Sequence, residues 1–97
     1  MIYTDDYLRQ SPLLKDLNTI ALSYFLVEGN LVYNHPLRNV NDPFNESFFE
    51  KRFNLFELAK DKEAIMEIGF NAGHSTLIML LANPDALYVL FDLNFHK

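Results

Sequence analysis

Glu67, Gly69, Gly73 and Asp92 are the residues whose types and spacing suit them to chemistry. They lie in the string MEIGFNAGHSTLIML, followed by an Asn-Pro turn and then LYVLFDLNFHK. An apolar run carrying a carboxylate near its end, a turn holding two of the chain's three glycines, and a helix-forming stretch predict strand, turn and helix. Such a turn brings backbone N–H groups and a helix N-terminus close to a ligand, where partial positive charge favours an anionic group. A side chain at either glycine is expected to obstruct that approach. The chemistry expected here is recognition of a small ligand, with an acidic residue at the end of each strand to meet its donors.

Spacing narrows the ligand. A dinucleotide turn reads G-x-G-x-x-G, but counting from Gly69 places Asn71 and His74 at the second and third glycine positions. What remains is E-x-G-x-x-x-G from Glu67 to Gly73, with Asp92 closing the second strand. That arrangement resembles the S-adenosyl-L-methionine (SAM)-binding half of class I methyltransferases, and EIGFNAGHSTL is similar to the EIG-x-x-x-GYS-type turn of small-molecule O-methyltransferases.

The resemblance implies a Rossmann-like fold, SAM as cofactor, and methyl transfer to an unidentified acceptor, with small molecules as the leading class. It also implies roles by position. Glu67 faces the cofactor's amino group, directly or through water, and Gly69 and Gly73 leave room for its methionine portion. Ser75 and the neighbouring N–H groups meet the carboxylate. Asp92 accepts from both ribose hydroxyls, Leu93 or Phe91 lines the adenine pocket, and Phe70, Asn71 and His74 complete the cofactor turn. His74 stands where those relatives carry Tyr, which favours a covering role in the pocket wall over hydrogen bonding by a neutral ring. No catalytic residue is assigned. Methyl transfer relies mainly on holding an acceptor in line with the methyl group, and the resemblance implies that the substrate site and any catalytic base belong to the later part of such a fold.

Several elements must position that turn. Ser11 and Pro12 form a helix-start signal, and Leu13, Leu14, Leu17, Ile20, Ala21, Tyr24 and Phe25 continue it at helical spacing. A helix is predicted from Pro12 to Glu28, with Gly29 as its left-handed cap. Residues 31–42 are rich in turn formers and are expected to connect. A second helix is predicted from Pro43 to Lys60, with Phe44, Phe48, Phe49, Arg52, Leu55, Phe56 and Ala59 on one stripe packed against the sheet. Glu57 and Asp61 are expected to pair with Lys60 or Arg52, and Asp5 and Asp6 to act as solubilising or helix-capping residues. Strands are predicted at Ala64–Ile68 and Leu87–Phe91, the second buried on both faces as parallel strands are, with a helix at Ser75–Ala82 between them. The fold class is α/β. A helical segment over residues 1–62 precedes a βαβ segment over 63–97, whose parallel sheet is incomplete.

Composition sets the outer limits. With 49% apolar and 14% aromatic residues among 97, the chain has the means to build one core. A net charge of −5 and only one adjacent basic pair, Lys51 and Arg52, argue against a nucleic-acid backbone as partner. Cysteine is absent, so disulfides and thiol chemistry are excluded. Scattered histidines predict no metal site. No targeting peptide or membrane span is predicted, which points to a cytoplasmic protein.

Two strands make a poor independent sheet, and their edges invite pairing. The expectation is therefore an N-terminal part of a longer methyltransferase, or a short chain completed by self-association or a partner. The competing reading of the same residues is an interaction module, in which the phenylalanine-rich helix and the strand edges bind another chain and the glycine turn is structural.

Overall fold

The computed structural model describes residues 1–24, 31–33, 37–69 and 73–91. Its first helix, α1 (Asp5–Gln10), starts where the Thr4 hydroxyl accepts a hydrogen bond from the Tyr7 backbone N–H at 3.1 Å, an N-cap that the sequence reading did not separate from the terminus. Helix α2 (Pro12–Tyr24) starts at the predicted proline, with Ser11 Oγ accepting from the Leu13 N–H at 3.3 Å. Its predicted continuation to Glu28 and the Gly29 cap lie outside the described residues.

Residues 31–33 and 37–42 do more than connect. Val32, Tyr33 and Leu37 are buried in the core, so this stretch contributes packing between its turns. The second predicted helix begins later than Pro43. Asp42 does not cap it, because its Oδ2 is committed to the Arg38 and Asn39 N–H groups of the preceding turn at 2.7 and 3.3 Å. Asn45 caps instead, accepting from the Ser47 N–H at 3.0 Å. A 3-10 turn at Glu46–Phe48 then leads into α3 (Phe49–Ala59).

Strands β1 (Ala64–Ile68) and β2 (Leu87–Phe91) occupy the predicted residues, and α4 (His74–Ala82) joins them. The strands pair in parallel, with Ala64 beside Leu87, Met66 beside Val89 and Ile68 beside Phe91. The result is a mixed α/β fold with a two-stranded parallel sheet.

One core joins α1, α2 and α3 to α4, through Tyr3, Leu8, Leu14, Phe56, Leu77 and Ile78. Phe56 meets Tyr3 at 5.4 Å and Tyr7 edge-on at 6.3 Å between ring centroids. Helix α3 packs on α4, and Asn83 at the end of α4 locks the pair by donating to the Ala59 and Lys62 carbonyls at 3.0 and 2.7 Å. The expected burial of β2 on both faces is not found, since Leu87, Val89, Leu90 and Phe91 are all exposed. Among the described residues the helices direct their apolar side chains chiefly into the shared core, which leaves one face of the sheet uncovered.

Candidate functional site

The carboxyl end of β1 and the start of α4 bring Glu67, Gly69, Gly73, His74 and Ser75 into one region. Gly69 leaves the strand at φ +83°, and Gly73 enters the helix at φ +103°, both in the left-handed region that disfavours side chains. A Cβ added at Gly69 meets nothing within 4 Å, so backbone angle is the demand the fold makes there. The protein itself would not obstruct a methyl group at that position. Gly69 does not offer its N–H to a ligand, as the turn geometry led one to expect, because that group donates to the Phe91 carbonyl at 2.8 Å and extends the strand pairing.

Gly73 opens α4 by accepting from the Leu77 N–H at 2.9 Å through its carbonyl. It supplies no side chain, so the cap position itself offers no side-chain acceptor to the first turn of the helix. Half-buried Ser75 lies in that turn. Half-buried Glu67 is engaged by the Thr76 hydroxyl, which donates to its Oε1. Thr76 escaped the sequence reading, although a hydroxyl in the first turn of a helix following a strand-end carboxylate is a signal for such a contact.

His74 faces the core. Its Nε2 lies 2.7 Å from Asn18 Oδ1, and its ring meets Tyr33 edge-on at 5.6 Å. Asn18 Nδ2 donates to the Tyr33 hydroxyl at 2.8 Å and to the Val40 carbonyl at 3.3 Å, so Oδ1 is the acceptor and Nε2 carries the proton. Burial pulls the imidazole pKa down to about 4, which keeps the ring neutral. Tyr33 is shifted upward, chiefly by burial. This places His74 as a link between the turn and α2. Asn18 was missed in the sequence, yet it sits at helical spacing between Leu14 and Ala21 on an apolar face, which is itself a sign of a buried partner.

Phe70, Asn71, Asp92 and Leu93 lie outside the described residues, and Phe91 is exposed at the end of β2. A separate cavity of about 240 Å³ opens between the α1–α2 junction and residues 40–44, lined by Arg9, Ser11, Leu14, Tyr33, Asp42 and Phe44 among others. None of its lining residues comes from the sheet or α4. Arg9 is held there by Asp6 at 2.5 Å and lies over the Phe44 ring at 4.6 Å.

The other polar centre is Arg52, which the sequence reading placed on the apolar stripe. Its Nε and Nη2 donate to the two oxygens of Asp5 at 2.9 and 2.8 Å, and Nη1 donates to the Leu31 and Asn45 carbonyls at 3.1 and 2.9 Å. Tyr3 adds a 2.5 Å hydrogen bond to Asp5 Oδ1. Burial alone raises the Asp5 carboxyl, but Arg52 and Tyr3 hold it below its ordinary value. Asp5 is therefore a structural anion, not merely a solubilising one. Glu57 pairs with Lys60 at 2.8 Å and Asp61 with Lys62 at 3.0 Å, leaving Arg52 to Asp5.

Comparison with protein-family models, curated proteins and solved structures returns no match to the chain. Among the described residues, no helix is long and apolar enough to cross a membrane.

Proposed function

We propose that the chain is the cofactor-binding part of a SAM-dependent methyltransferase with a Rossmann-like sheet, and that SAM binds against the turn from Glu67 to Ser75. The observation that carries this reading is the pair of left-handed glycines joining a parallel strand to a helix, the second of them at the helix's cap position. Open space beside Gly69 fits a ligand lying against the turn. The Ser75 hydroxyl and the Ser75 and Thr76 N–H groups are suited to an amino-acid carboxylate, and Glu67 to an ammonium group. Thr76 orients Glu67 for that contact. Asp92, directly after β2, takes the ribose by the sequence pattern.

When bound, SAM supplies a methyl group activated by its sulfonium. This segment's task is to bind and orient the cofactor, while the acceptor must be held by residues beyond those assigned. His74 serves the site indirectly, by holding the first residue of α4 against Asn18.

Calorimetric titration of SAM tests the reading. Binding is expected, weakened in Asp92→Ala by about 1.5–3 kcal/mol, the worth of a hydrogen bond to a charged group. No heat of binding sinks the SAM reading, whereas equal affinity in the two proteins sinks only the role of Asp92. An interaction module is the second reading, and the exposed sheet face favours it.

A further inference from the structure

We propose that the outer face of the sheet is the interface of a two-fold symmetric homodimer. This inference uses none of the turn residues, so a titration that finds no SAM binding leaves it standing.

The strand register puts Ala64, Met66 and Ile68 of β1 on the same face as Leu87, Val89 and Phe91 of β2. All six are apolar. Met66 is 66% exposed, Ile68 70%, Leu87 65%, Val89 40% and Phe91 48%. The opposite face differs in kind, because Ile65, Glu67 and Tyr88 are half-buried, Leu90 is its one exposed residue, and two of the four are polar. A parallel sheet ordinarily has both faces covered, so the bare side needs an occupant.

Area and chemistry select that occupant. At ordinary side-chain sizes these exposures amount to roughly 600 Å² of apolar surface per chain, the upper end of what a monomer's largest patch carries. Two such faces together bury about 1,200 Å², the lower bound of a stable specific interface. The face has no charged or hydrogen-bonding side chain, so the net charge of −5 neither repels a copy at the contact nor draws a basic partner to it. A second copy presents the same apolar rungs. With the two-fold axis along the Met66–Val89 rung, small Ala64 meets the larger Ile68 of the other chain, and the sheets stack about 10 Å apart.

Light scattering on the size-fractionated chain tests this at micromolar concentration. The expected mass is twice the 11.3 kDa of one chain. Met66→Lys and Val89→Lys should each return it to a single chain with an unchanged far-ultraviolet circular dichroism spectrum. Leu58→Lys, on an equally exposed leucine of α3, should leave the dimer intact. Because the chain has no cysteine, Val89→Cys introduces one thiol, and a short bis-maleimide should link two chains through it but not through Leu58→Cys. The cross-link keeps the test decisive even where a lysine variant misfolds. A wild-type monomer, aggregates without a defined mass, or a dimer that survives both lysine substitutions without linking at Val89→Cys would overturn the proposal.

Discussion

Arg52 and Met66 meet water in opposite ways. The guanidinium is wholly enclosed and satisfied by Asp5 and two backbone carbonyls, whereas the thioether stands mostly in solvent beside five other apolar side chains. In the helical region a charge is inside because its partners are inside with it. In the sheet, apolar side chains are outside because the described helices turn theirs toward one another. Both are departures from ordinary burial, and each points to a partner. For Arg52 that partner lies within the chain, and for the sheet face the proposal above supplies it.

The largest expected effect tests the first half of this contrast. Arg52→Met keeps much of the volume but leaves Asp5 half-buried without its cation and two carbonyls without donors. Urea unfolding should show a loss of about 3–5 kcal/mol, the usual cost of breaking a buried pair from one side. A loss under about 1 kcal/mol, the range of a surface pair, would break the contrast.

A somewhat smaller effect links the two regions through His74. Its pKa is about 4 in the folded chain against an ordinary 6.5, so between those values the unfolded chain binds a proton that the folded chain refuses. Stability should therefore rise with pH from about 4 to 6.5 and level off above, by on the order of 3 kcal/mol in all. Asp5 acts at lower pH, its contribution being present above its ordinary 3.8 and lost as pH falls through its depressed folded value. His74→Gln retains a donor for Asn18 Oδ1 and should flatten the upper window in urea unfolding measured across pH. An unchanged slope in that variant would assign the window to other groups.

The smallest effect sharpens the comparison at the turn. Gly69→Ala introduces strain at φ +83° but no collision, so stability should fall by about 1 kcal/mol. Loss of SAM affinity beyond that, measured by the same titration, separates a cradle from a merely tight turn.

The strands and the start of α2 were legible because their signals are local: Ala64–Ile68 and Leu87–Phe91 are short apolar runs bounded by breakers, and Ser11–Pro12 is a cap with a preset φ. Helix α1 was not separated, since six residues give little more than one turn of periodicity. The start of α3 was misplaced because Asp42-Pro43 and Asn45 both carry capping chemistry, and only the preceding turn's claim on Asp42 decides between them. At the candidate site, the glycines announced the turn. That His74 faces α2, and not the pocket wall expected for it, depends on Asn18, which is 56 residues away in sequence. Distant pairings of this kind, Asp5 with Arg52 included, leave only an indirect trace, a polar residue on an apolar stripe.

The Asp5–Arg52 tie also bears on the order in which the chain can fold during synthesis. Every group that Arg52 grips, at Asp5, Leu31 and Asn45, precedes it along the chain. Once α3 has emerged, the charge can be neutralised and the 47-residue span closed before either strand exists, at a loop-closure cost that grows only logarithmically with length. Leu77 and Ile78 arrive later and complete the core that this closure has already outlined. The helical region is in this sense the part that synthesis delivers first, and α4, with a strand on either side, packs onto it in the finished fold.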